Sequence, residues 1–179
     1  MIGALKSEWL KLATTKMMWI MLALVVLLML LGSVMFGLFF HFLSNEMAAA
    51  GASESIFHDP EIPPVLWTGG HTMARIPALI LGAMAMGGEY RHKTLIDSYL
   101  AVPRRYTVVG AKALMVFLVG LVMGALGSLA GYLASMPFLL MNDAPLLLDE
   151  GSTWQTLALS ALSMGLWALL GMGFGILVR

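Results

Sequence analysis

Met17 to Phe42 reads MMWIMLALVVLLMLLGSVMFGLFFHF, a run without a single Asp, Glu, Lys or Arg. At 1.5 Å rise per residue a helix of this length measures about 39 Å, against roughly 30 Å of hydrocarbon in a bilayer. The run spans, with tilt or an overhanging turn. Lys6, Lys11 and Lys16 precede it and Ala48, Ala49 and Ala50 follow it, the flanks of a secretory signal. A signal core is only roughly 7 to 15 residues long, so the length favours a retained anchor.

The rest of the chain repeats this pattern. Hydrophobic residues make up 60% of the sequence and charged residues 11%, too few polar groups to cover a globular surface. Within 179 residues there is no long hydrophilic stretch, hence no room for a sizeable aqueous domain. A soluble engine would have to be another chain. The sequence has no Cys, which excludes disulfides, thiolate metal sites and cysteine nucleophiles. Its 16 Met residues suit flexible apolar packing.

Three further apolar runs follow, at 72–88, 113–141 and 154–178. The second carries Arg75 near its start, where a long side chain can snorkel to the interface, and Pro77 in its first turns. Pro137 is expected to kink or end the third, and Trp154 suits the interfacial belt at the head of the fourth. The expected fold is an all-α polytopic membrane protein: one transmembrane domain over 1–179 with four transmembrane helices, at 17–42, 72–88, 113–141 and 154–178.

The charges sort by loop. Lys6, Lys11, Lys16, Arg91, Lys93, Arg104, Arg105, Lys112 and Arg179 fall on one side, while Glu46, Glu54, Asp59, Glu61, Asp143, Asp149 and Glu150 fall on the other with Arg75 alone. By the positive-inside rule both ends face the cytoplasm. Residues 4–15 repeat Leu5, Trp9, Leu12 and Lys16 at helical spacing, with Lys6, Glu8 and Lys11 elsewhere on the wheel. This is an amphipathic interfacial helix, either a generic anchor or an elbow that links membrane motion to a partner.

Glu89 to Lys112 is the most informative loop. Glu89 and Lys93 are an i,i+4 pair in the favourable orientation, and Leu95, Tyr99 and Val102 line another face before Pro103. A short amphipathic helix over 89–103 follows. Such a helix can press an apolar ridge into a groove of another protein, with Arg104, Arg105 and Lys112 holding orientation. The same cations would also fix topology and attract anionic headgroups with no partner at all. Gly120-x-x-x-Gly124, Gly127-x-x-x-Gly131 and Gly171-x-x-x-Gly175 allow close helix approach, within the chain or at a dimer face.

Several chemistries find no support. Lys93-Thr94 lacks the glycines of a phosphate-cradling loop. His41, His58 and His71 fall on the outer side with Asp59 and Glu61, but without the spacing of a metal motif, and Ser44, Ser53 and Ser55 lack a nucleophile motif. No ionisable residue is expected at the centre of a span, which disfavours proton or ion transport and favours an apolar or amphipathic substrate. No nucleic-acid partner is expected.

The segment Gly88-Glu89-Tyr90-Arg91-His92-Lys93-Thr94, followed by Pro103-Arg104-Arg105 and Lys112, resembles the cytoplasmic loop between the second and third spans of type-2 ABC transporter permeases, bacterial ones in particular. Ser7-Glu8-Trp9-Leu10-Lys11-Leu12, with Lys16 and Trp19, resembles their amino-terminal segment. The resemblance implies an elbow helix at 4–15 and a coupling helix at 89–103. It gives Glu89, Tyr90, Arg91, Thr94, Leu95, Tyr99, Pro103, Arg104 and Arg105 the contact with an ATPase subunit, and Trp9 and Leu12 the interface.

The implied protein is the permease of an ABC exporter in the bacterial inner membrane. It binds no cofactor itself, takes its energy from ATP and Mg on the partner, and pairs with a second permease copy or paralogue. Such permeases have six spans, so four suggest a chain lacking the last two. The rival expectation is a noncatalytic membrane interaction, immunity or scaffold protein.

Overall fold

The computed structural model describes residues 7, 9–10, 13–51, 56–92, 105–144 and 151–177. Ser7, Trp9, Leu10, Ala13 and Thr14 are helical, whereas residues 4–6, 8, 11 and Leu12 of the expected elbow lie outside the described ones. At Thr15 the backbone turns extended, with φ −82° and ψ 120°. Trp19 Nε1 donates across this break to the Ala13 carbonyl at 3.0 Å, tying the approach segment to the helix that follows.

That helix, α1, is Lys16–Ala49, which at 1.5 Å per residue is about 51 Å long. It overshoots the expected end at Phe42 because Leu43 to Ala49 offer neither a proline nor a glycine to stop it. Its buried stripe, Met18, Met21, Val25, Met29, Ser33 and Gly37, recurs at three- and four-residue steps, and the remaining faces present large exposed apolar side chains, as lipid requires.

Between α1 and the next long helix the chain does not stay outside the bundle. A 3-10 turn at Ile56–His58 and the short helix α2, Ile62–Trp67, place Phe57, Leu66 and Trp67 in a fully buried cluster with Tyr132, Leu139 and Ala144. Two prolines open α2, at positions where the missing N–H has no helical partner to lose. Gly69 and Gly70 then lay backbone against backbone on α1: a Cβ on Gly70 would collide with the Leu28 carbonyl and stand 2.5 Å from Met29 Cα. Leu28 is about 18 Å along α1 from Lys16, so the next helix starts against the middle of α1.

That helix, α3, is His71–His92 and contains Pro77. It runs unbroken through Gly87, Gly88 and Glu89, so the boundary expected between a span and a cytoplasmic helix at Glu89 is not a helix end. Ala74, Ala78 and Leu81 pack on Met18, Met21 and Val25 of α1. α4 is Arg105–Met141 and α5 is Gly151–Leu177.

Pro137 sits inside α4 and does not end it. The stop comes four residues later, where Asp143 takes a left-handed φ of 52° and the Ala144 N–H reaches back to the Leu139 carbonyl at 2.9 Å. Asn142 Nδ2 adds a bond to the Phe138 carbonyl at 2.8 Å, so the last carbonyls are satisfied.

Among the described residues there is no strand, and three helices are long and apolar enough to cross a membrane: α1, α4 from Val108 onward, and α5. α3, expected as a span over 72–88, is less apolar and is not one of them. The bundle closes as a ring in which α1 meets α3 and α4, and α5 meets α3 and α4; α3 and α4 touch lightly across the diagonal.

Candidate functional site

The densest seam joins α3 to α5, which run parallel. His71 Nε2 hydrogen-bonds Ser163 Oγ at 3.2 Å across an interval of 92 residues. The same interval pairs Arg75 with Trp167, Leu79 with Gly171 and Ala83 with Gly175. Four residues per step on both helices keep one face of each in contact for three turns. The two lower rungs are backbone contacts: a Cβ on Gly171 would strike the Leu79 carbonyl oxygen, and one on Gly175 would strike that of Ala83. Gly82 closes against Ala168 and Met172 from the same side.

The two upper rungs are polar, which the sequence reading did not foresee. Arg75 was expected to snorkel to an interface, with no ionisable group at the centre of a span. Its guanidinium lies 5.7 Å from the centroid of the Trp167 ring of α5. Trp167 is about 20 Å from Trp154 and about 15 Å from Leu177 along α5, whereas Arg75 is the fifth residue of α3. A charge at the centre of a bilayer costs about 2.5 to 3.5 kcal/mol on insertion scales. An aromatic face returns roughly 0.5 to 2 kcal/mol, which leaves part of that cost uncovered.

Among the described residues, Arg75 Nε, His71 Nδ1, Trp67 Nε1 and Ser33 Oγ are buried with no hydrogen-bond partner. Trp67 and Ser33 both approach Gly131, whose Cβ would meet the Trp67 carbonyl and stand 2.9 Å from Ser33 Oγ. The spacing that could have revealed the ladder was present in the sequence as His71, Arg75 and Leu79 opposite Ser163, Trp167 and Gly171. Only the pairing of non-adjacent helices makes it visible.

The other glycines of the small-residue motifs also lie against this chain's own helices. Cβ atoms on Gly120 and Gly124 would stand 2.8 Å from Gly165 Cα and 2.6 Å from Ala161 Cα of α5, and one on Gly127 would stand 3.1 Å from Met29 Cγ of α1. Lys112, expected at a span mouth, is buried at 4% exposure.

The expected coupling segment is bracketed by α3 and α4. Glu89, Tyr90 and Arg91 occupy the last turn of α3 and Arg105 the first residue of α4, by backbone; Thr94, Leu95, Tyr99, Pro103 and Arg104 lie outside the described residues. Trp9 is exposed.

The histidines have separate settings. His41 Nδ1 is 3.4 Å from Asn142 Nδ2 and its Nε2 is 3.4 Å from Asn45 Nδ2, while His58 is exposed and His71 faces Ser163. Among the described residues no three His, Asp or Glu side chains gather as a metal site requires.

Compared with known proteins, residues 4–177 match the sequence profile described as ABC-2 family transporter protein. No curated protein and no solved structure matches the chain.

Proposed function

The chain belongs to the ABC-2 family of transporter proteins, and from that premise we propose that it is the permease of an ATP-driven exporter for an apolar or amphipathic compound. It is a multi-pass membrane protein of the type that associates with an ABC ATPase. In this reading α3 is a fourth span, kept in lipid by its seam with α5. Both ends of the chain face the cytoplasm of a bacterial cell, residues 4–15 form the elbow, and 89–103 form the coupling helix. A second permease copy or paralogue completes the path. ATP and Mg act on the partner, whose closure pushes the loop between His92 and Arg105.

The observation that carries this reading is the charge pattern: the loop bracketed by α3 and α4 holds Lys93 and Arg104, flanked by Arg91 at the end of α3 and Arg105 at the start of α4, at the end of the bundle where α1 begins with Lys16. Two experiments test it. The chain has no native cysteine, so single-cysteine variants report cleanly. Ser98→Cys is expected to resist an impermeant maleimide applied to intact cells, and Ser55→Cys to react. The reverse pattern would invert the topology.

In the second experiment, Glu89→Ala with Arg91→Ala is expected to abolish copurification of the ATPase while the permease still reaches the membrane. Two lost ionic contacts of roughly 1.5 to 3 kcal/mol each would weaken the complex at least a hundredfold. Unchanged copurification would favour the noncatalytic interaction protein.

A further inference from the structure

Arg75 is half-buried, its guanidinium lies over the Trp167 ring at 5.7 Å from the centroid, and its Nε is buried with no hydrogen-bond partner among the described residues. Among the described residues no carboxylate pairs with the guanidinium. One turn away on the same face, His71 is 7% exposed, spends Nε2 on Ser163, and leaves Nδ1 unpartnered. The described residues therefore supply a positive charge and a second polar atom at the same edge of the α3–α5 seam, with no anion paired to them. Next to Arg75 in α3, Ile76 is an exposed apolar side chain.

We propose that this edge binds the anionic headgroup, phosphate or carboxylate, of an amphiphile whose hydrocarbon lies along Ile76. A guanidinium is a planar fork that engages such oxygens in pairs. Trp167 fixes the plane of that fork, and Ser163 fixes the imidazole beside it. The bound anion supplies the countercharge that no described residue gives Arg75. Cationic compounds are excluded by the same charge. The site narrows the cargo class of the exporter, and rests on that reading only for the conclusion that its ligand is carried rather than retained.

The test uses the full chain purified in a neutral detergent, without ATPase, so its failure leaves the permease assignment standing and a failed ATPase copurification leaves the site standing. Native mass spectrometry would compare three probes: phosphatidylglycerol, dodecyl phosphate and inorganic phosphate, with phosphatidylcholine as the zwitterionic reference. The wild type is expected to hold one anionic amphiphile at least tenfold more tightly than phosphatidylcholine. Preference for phosphatidylglycerol identifies a membrane lipid, and preference for dodecyl phosphate a single-chain cargo.

Arg75→Gln is expected to remove the preference, and Trp167→Phe, which keeps a ring under the cation, to retain most of it. Should Arg75→Gln not fold, Arg75→Lys, which keeps the charge but loses the fork, is expected to lose at least threefold. Equal binding of phosphatidylcholine, an unchanged preference in the Arg75 variant that folds, or binding of inorganic phosphate as tight as that of the amphiphiles would overturn the proposal.

Discussion

Gly171→Leu is expected to lower the apparent melting temperature of the purified protein by about 10 °C, while Gly173→Leu changes it by no more than about 2 °C. Both glycines lie in the same turn of α5, and both substitutions add the same apolar bulk. They differ in what the added Cβ would meet: at Gly171 the Leu79 carbonyl oxygen and Cα, at Gly173 nothing within 4 Å. The obstacle at Gly171 is backbone, which cannot rotate away as a side chain can. The helices must separate along a seam that carries four rungs. Overpacking of a well-packed contact costs about 3 kcal/mol or more, which in a chain of this size corresponds to a shift of about 6 to 12 °C. Melts at one fixed heating rate decide it. Equal shifts at the two positions would mean that α3 and α5 do not pack in this way.

Trp67→Ala is expected to cost about 3 to 5 kcal/mol, the range for emptying a large aromatic site. Trp67 is wholly buried beneath Tyr132, with the two rings 5.4 Å apart, and is packed with Phe57, Leu66 and Leu139. Its removal would leave a void where α2 enters the bundle, and Gly131, held against the Trp67 carbonyl, gives the backbone little freedom to collapse into it. Trp67→Phe provides the contrast. It keeps most of the packing and deletes Nε1, a buried donor with no partner. An unsatisfied donor costs about 1 to 3 kcal/mol, so its removal offsets much of the lost volume, and Trp67→Phe is expected within about 1 kcal/mol of the parent. Comparable losses for the two variants, measured by melting, would count against a packed re-entrant cap.

Most of the helical plan was legible because uninterrupted apolar runs leave the backbone few alternatives in lipid. The ends were less so. Pro137 read as a stop, yet α4 continues past it and is closed by Asp143 in a left-handed conformation, a role more often given to glycine. Glu89 read as the start of a helix, but it lies inside α3, since two glycines weaken a helix without obliging it to end. The re-entrant segment was hidden for another reason: Pro63, Pro64, Gly69 and Gly70 signal turns, and nothing in a local pattern says that the turns fold inward. The placement of Arg75 depended on the same fact, because α3 begins against the middle of α1. For the coupling residues from Thr94 to Arg104, sequence remains the source of the assignment.

The parallel seam bears on how the domain is made. α3 carries Arg75 and falls short of the apolarity at which a helix crosses a bilayer unaided. Its principal neighbour, α5, leaves the ribosome last of all the described helices. With α3 as the fourth span proposed above, biogenesis would not be a sequence of independent insertions: the helix that most needs shelter is synthesised well before the one that shelters it, and it would wait at the translocon or in a loosely held state until Trp167 arrives.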